Sequence, residues 1–214
     1  MFVYNAGWCN GSHASLWRRR SGFESLPRSQ MIKLNSKQLR KTPPQGNQLK
    51  SIKRNPIYLV LDRVIDTYNV GSLFRLADAA GVTKMYLCGE MEYPPSSKIH
   101  KAAVGTETWV PWEKRETSIE VIKELKRKSL PAGRHGVQII AVEQSPQSIS
   151  YKQLTSNNIH FPIAIVIGNE TTGIDKKVLE EADLIVELPM YGVNKSFNVW
   201  GSAAVITYKV LEFL

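Results

Sequence analysis

The chain has 214 residues, 43% of them hydrophobic and 22% charged, which fits one globular domain with a sizeable core plus an extension. Its longest apolar runs, such as Ile163–Ile167, fall far short of the roughly 20 residues of a membrane span, so no membrane helix is expected. The formal charge of +9 is unevenly divided: residues 1–56 carry eleven Lys and Arg against Glu24 alone, whereas residues 57–214 carry seventeen bases against eighteen acids.

Residues 1–30 contain Trp8, Trp17 and Arg18-Arg19-Arg20 with no helical or alternating period. They lack the apolar centre of a secretory signal, and only partly fit an Arg- and Ser-rich mitochondrial presequence. We read them as an extension without regular structure. Residues 31–56 are polar and basic, broken by Pro43-Pro44 and Asn55-Pro56, and read as a short arm. A basic arm on a near-neutral body suits the phosphate backbone of a nucleic acid, and composition supports a solvated tail equally.

From residue 57 the chain alternates strands and helices. Ile57–Leu61 is a continuous apolar run of strand length. Val70, Leu73, Phe74, Ala77 and Ala80 recur at helical spacing, and Gly81 closes that helix. Lys84–Cys88 is a second strand; Pro94-Pro95 breaks the chain, and Ser96 or Ser97 caps a short helix to Val104. Trp109–Trp112 reads as a short extended piece and Ser118–Lys128 as an amphipathic helix. Gly136–Val142 and Pro162–Ile167 are buried strands. Asp175 caps a helix over Lys176–Ala182, Leu184–Leu188 is the last strand, and Val199–Phe213 is a long final helix. This alternation, with strands apolar on both faces, predicts an α/β fold whose parallel sheet is covered by helices on both sides.

Cys9 and Cys88 are the only cysteines, without CxxC spacing, and the four histidines are scattered. That argues against a zinc site and against a disulfide scaffold, and makes a reducing cytoplasm the expected compartment. Absent motifs narrow the chemistry further. No GxGxxG follows the first strand, no GxxxxGK[ST] occurs, and there is no GxSxG elbow. Dinucleotide folds, P-loop NTPases and α/β-hydrolases are disfavoured.

Three loops carry the remaining signal. In the first, Asp62–Arg75, Asn69 opens a helix, where its side chain caps or holds a substrate, and Arg75 lies six residues on. By position alone Arg75 reads as a partner for Asp78 or Glu170. In the second, Gly168-Asn169-Glu170 follows a strand; Gly168 admits a ligand close to the backbone, and Glu170 either binds substrate or ties down neighbouring amides. In the third, Ser196 and Asn198 open the last helix, and the plain reading of Ser196 is an N-cap. Loops beyond the C-terminal ends of parallel strands line the crevice of an α/β sheet, so the second and third suggest one shared pocket.

Taken in order, Asn69-x-Gly71-x-x-x-Arg75-x-Ala77, Gly168-Asn169-Glu170-x-x-Gly173 and Pro189-Met190-x-Gly192-x-x-x-Ser196-Phe197-Asn198-Val199 resemble the three motifs of the SpoU/TrmH family. These are RNA ribose 2′-O-methyltransferases of the SPOUT class, and the resemblance covers roughly residues 56–214. It implies a C-terminal deep trefoil knot, a departure from the usual un-knotted rule. It further implies a homodimer, S-adenosyl-L-methionine as cofactor, and no metal. By position, Val142, Gly168, Asn169, Leu188, Met190 and Phe197 would meet the cofactor. Asn69, Arg75, Glu170, Ser196 and Asn198 would form the catalytic set. Arg75 would position the ribose hydroxyl and a phosphate or act as base, Asn69 would orient it, Glu170 would hold the first motif, and Ser196 with Asn198 would complete the ribose pocket.

Phe197 stands where Leu is commoner, Trp200-Gly201-Ser202 replaces a pattern of smaller residues, and Lys209 stands where an acid is usual. None of these removes a presumed catalytic group. The arm is too short for a separate RNA-binding domain, which suggests a minimal member acting on tRNA, with rRNA as the alternative substrate. A catalytically silent RNA-binding or assembly protein is the rival from another class, and loss of one of the five catalytic residues would mark it; all five are present. A small-molecule enzyme is disfavoured by the basic arm.

Overall fold

The computed structural model describes residues 52–127 and 136–214, together with Gln38, Pro44, Gly46 and Leu49. The readings made for residues 1–30 and for most of the basic arm lie outside these residues. Among the described residues, seven parallel strands form one sheet: β1 (Asn55–Asp62), β2 (Val82–Cys88), β3 (Trp112–Arg115), β4 (Gln138–Val142), β5 (Ile149–Ser150), β6 (Ile163–Ile167) and β7 (Leu184–Glu187), in the order β3-β2-β1-β6-β4-β7-β5. The helices are α1 (Thr67–Ala79), α2 (Ser97–Ala103), α3 (Ser118–Arg127), α4 (Lys176–Glu180) and α5 (Val199–Leu211).

Alternation along the strands divides the core. Ile57, Leu59 and Leu61 of β1 and Ile163 and Ile165 of β6 join Leu73 and Phe74 of α1, Ile99 of α2 and Ile206 and Val210 of α5 on one face. Their neighbours Tyr58, Val60, Ala164 and Val166 join Val121, Ile122 and Leu125 of α3 and Val178 of α4 on the other. The central strands therefore read as unbroken apolar runs because both faces are covered, as parallel sheets require. Burying each large aliphatic side chain stabilises the fold by about 1.5–3 kcal/mol.

Several ends differ from the sequence reading. Trp109–Trp112 is not the extended segment: a 3-10 turn occupies Thr106–Thr108, and β3 begins only at Trp112. β3 is an edge strand of sequence WEKR, so its polar composition hid it. β5 is two residues long and gave no periodic signal. The helix after Asp175 stops at Glu180.

The order of strands places the crevice. β6 lies between β1 and β4, so the C-terminal ends of these three strands and of β7 open at one edge of the sheet. Among the described residues, no helix is long and apolar enough to cross a membrane.

Candidate active site

At that edge lies a crevice of ≈ 250 Å³, walled by the ends of β4 (Val142, Glu143), β6 (Ile167, Gly168) and β7 (Glu187, Leu188) and by the segment carrying Met190 and Phe197. Val142, Gly168, Asn169, Leu188, Met190 and Phe197 all line it, as do Glu170 and Ser196. Asn69 and Asn198 reach it through hydrogen bonds, described next.

The loop after β6 is held from within and from without. Asn169 Oδ1 accepts from Thr171 N (2.8 Å) and Thr172 N (2.9 Å), while its Nδ2 donates to Arg63 O (2.8 Å). Asn169 and Gly173 also exchange both backbone bonds. A Cβ on Gly168 would fall 2.5 Å from Gly173 C and Ile174 N, so only glycine lets the loop fold back on itself. Gly173 has φ +68°, a left-handed conformation that glycine adopts freely.

Glu170 ties this loop to the start of α1. Its carboxylate accepts from Ile65 N, Asp66 N (both 3.0 Å) and Asn69 Nδ2 (2.9 Å). Partial burial alone would raise its pKa, but the Asn69 and backbone donors outweigh it and hold the carboxyl below the usual range. Of the two sequence readings for Glu170, the structure has it tying down amides.

Asn69, only 4% exposed, continues the chain of bonds: its Oδ1 accepts from Asn198 Nδ2 (3.0 Å). Asn198 Oδ1 in turn caps α5 by accepting from Trp200 N (3.0 Å). One relay, Glu170–Asn69–Asn198, thus joins all three motif loops. The cap of α5 is Asn198 rather than Ser196, whose hydroxyl donates to Asn194 Oδ1 (3.2 Å). Asp66 caps α1 by accepting from Tyr68 N, which frees the Asn69 side chain for the relay.

Arg75 is exposed and pairs with neither Asp78, which accepts from Trp109 Nε1 (2.7 Å), nor Glu170. Six residues along an α-helix are about 9 Å of rise. Arg75 therefore stands further along α1 than Asn69, and no bond joins it to the relay.

Two features escaped sequence reasoning. Glu143 follows Val142 at the end of β4, accepts from Ile174 N (3.0 Å) through Oε2 and from Gln144 N (2.9 Å) through Oε1, and lines the crevice. Its signal was an acid at a strand's C-terminal end. Buried Asp62, at the end of β1, accepts from Ser118 Oγ (2.9 Å) and Asp175 N (3.0 Å) and pairs with Arg63. The departures at Phe197 and Gly201 explain each other: a Cβ on Gly201 would lie 2.7 Å from Phe197 Cε1, so the glycine makes room for the larger ring.

The profile described as SpoU rRNA Methylase family matches residues 56–208. The chain is 27% identical over 161 residues to a tRNA (guanosine(18)-2'-O)-methyltransferase of Borreliella burgdorferi, covering 75% of this chain and 68% of that protein. It is 29% identical over 158 residues to the 23S rRNA (guanosine-2'-O-)-methyltransferase RlmB of Neisseria meningitidis, covering 74% and 59%. Among solved structures, the TrmH/SpoU tRNA modifying enzyme of A. aeolicus superposes with a TM-score of 0.65 at 25% identity, over 83% of this chain and 81% of that one. An AdoMet-bound rRNA methyltransferase from Sinorhizobium meliloti gives 0.63 at 27% identity, over 80% and 59%. The chain thus spans about three fifths of the length of several proteins it matches.

Proposed function

Since the chain belongs to the SpoU rRNA methylase family, we propose that it transfers a methyl group from S-adenosyl-L-methionine to a ribose 2′-oxygen of RNA. The observation that carries this reading is the Glu170–Asn69–Asn198 relay, which locks the three motif loops around one crevice at the strand ends.

The crevice fits the cofactor in its chemistry. Val142, Leu188, Met190 and Phe197 offer apolar walls for a flat adenine, and the backbone of Gly168 and its neighbours offers polar groups for the adenine edge. When bound, the cofactor supplies a methyl group activated by a sulfonium. The protein's own task is to present the ribose hydroxyl and ease the loss of its proton. Arg75 serves it from α1: its exposed guanidinium, which forms no ion pair among the described residues, holds the 2′-oxygen and an adjacent phosphate and favours negative charge on that oxygen. Asn69 and Glu170 fix the start of the helix that carries it. Ser196 and Asn198 complete the ribose pocket from the third loop.

We assign tRNA as the substrate, with rRNA the alternative; relatives named for each appear among the matches. The basic arm, with Lys33, Lys37, Arg40, Lys41, Lys50 and Lys53, supplies further affinity for phosphates. Arg54, expected to join them, instead donates to Val82 O (3.3 Å) and Trp109 O (3.2 Å) and anchors the arm to the body. The active unit is a homodimer. Phe197, Trp200, Val205 and Tyr208, on and just before α5, and Ile65 and Tyr68, just before and in the first turn of α1, leave large apolar groups exposed, which supports a second copy packing there. A C-terminal trefoil knot is favoured by the order in which the strands are laid down: β6 enters between β1 and β4, β7 between β4 and β5, and α5 then returns over the α1 face.

Methyl transfer from radiolabelled S-adenosylmethionine into total tRNA and, separately, rRNA tests the reading. Incorporation into tRNA that Arg75→Ala reduces at least 100-fold is expected. Cofactor binding without incorporation into either RNA would point instead to an rRNA-assembly intermediate as substrate, and no cofactor binding at all to a catalytically silent RNA-binding protein.

A further inference from the structure

Resting on the cofactor reading above, we infer that Glu143, outside all three motifs, shapes the crevice and adds to its wall, which Glu170, Glu187 and Lys195 also line, a fixed negative charge that favours the cationic cofactor over its neutral product.

The shape follows from the hydrogen bonds. Glu143 stands at the end of β4, yet its Oε2 holds Ile174 N of the loop that follows β6. The fit is reciprocal: a Cβ on Gly173 would fall 2.4 Å from that same Oε2. The second motif's last glycine is therefore what admits this carboxylate. Glu143 clamps the loop from the neighbouring strand, while Glu170, within the loop, ties it to the start of α1.

The charge follows from what surrounds it. Both oxygens of Glu143 are engaged by neutral backbone donors, Ile174 N and Gln144 N. Among the described residues, no Lys, Arg or His forms an ion pair with it. Its charge is held in place by dipoles rather than cancelled. A half-buried wall screens such a charge less than bulk water does. Methyl transfer removes one positive charge from the ligand as the sulfonium becomes a thioether. A fixed negative charge in the wall therefore binds the methyl donor better than the spent product, and product leaves more readily after each turnover.

Calorimetric titration of the full chain with S-adenosylmethionine and with S-adenosylhomocysteine separates the two contributions. Glu143→Gln keeps the size and one acceptor but removes the charge. Glu143→Ala removes the clamp as well. Glu143→Gln should lower the preference for the methyl donor over the product by about 3- to 10-fold, where tenfold corresponds to about 1.4 kcal/mol. Glu143→Ala should weaken both ligands by at least tenfold, with circular dichroism confirming a folded chain. Binding of both ligands with an unchanged ratio in Glu143→Gln overturns the charge selectivity, and unchanged affinities in Glu143→Ala overturn the clamp. If the wild-type chain binds neither ligand, the cofactor reading itself falls, and this inference with it.

Discussion

The two loops that close the crevice are built in opposite ways. The one after β6, residues 168–174, is held at nearly every residue: by Asn169 from within, by Glu143 from β4 and by Glu170 to α1. The one between β7 and α5 is largely exposed, with Val193 fully so; apart from the Asn198–Asn69 bond at its end, it is held by Gln144 Nε2 donating to Lys195 O (2.8 Å), by Lys152 Nζ donating to Tyr191 OH (3.5 Å) and by Ser196 bonding Asn194. A fixed loop presents a preformed backbone edge to a ligand, whereas an open one can adapt to a ligand that must enter and leave. The first spends conformational entropy in folding; the second defers that cost until something binds.

Mutations should expose this contrast. The largest effect is expected at Gly168, where alanine meets backbone rather than a yielding side chain. Gly168→Ala should cost about 3 kcal/mol in denaturant unfolding and weaken cofactor binding at least tenfold. Asn69→Ala comes next: it leaves Glu170 and Asn198 each short of a partner, for a loss of about 1–3 kcal/mol and a fall in methyl transfer of at least tenfold.

A subtler effect concerns acid. The folded-state pKa of Glu170 lies below the unfolded one, so its stabilisation is fully present above an unfolded value of about 4.3 and is lost as pH falls through the folded value. Thermal melts between pH 7 and pH 3 should show a shallower acid loss for Glu170→Gln than for wild type. Equal slopes would mean the carboxylate contributes nothing to the loop's fixity. The smallest effect is expected in the open loop. A Cβ on Gly192 would meet nothing within 4 Å, so Gly192→Ala should change stability by less than about 0.5 kcal/mol.

The same contrast governs what the sequence could reveal. Strands β1 and β6 were legible because burial on both faces leaves an unbroken apolar run, and α1 because its buried residues recur with the helical period. β3 was not, since an edge strand of Trp, Glu, Lys and Arg follows neither pattern. At the site, the resemblance named residues but not their bonds. That Glu170 ties down α1, or that Asn198 rather than Ser196 caps α5, depends on contacts across 104 and 129 residues for the former and its relay, and on local turn geometry for the latter. Glu143 was missed because an isolated acid at a strand end resembles a solvated one until the neighbouring loop is in place.

The pairing of Phe197 with Gly201 bears on how this chain could have changed over time. An aromatic wall at position 197, in the place its ring occupies, leaves no room for a Cβ at 201, and a glycine inside a helix costs roughly 0.5–1 kcal/mol relative to alanine. The two positions are therefore not free to drift separately. Shrinking Phe197 to leucine first would open space into which alanine at 201 then fits and restores helix stability. Taking alanine at 201 first would push the ring off the crevice wall. The order of the two steps, and not only their sum, decides whether the intermediate keeps its crevice.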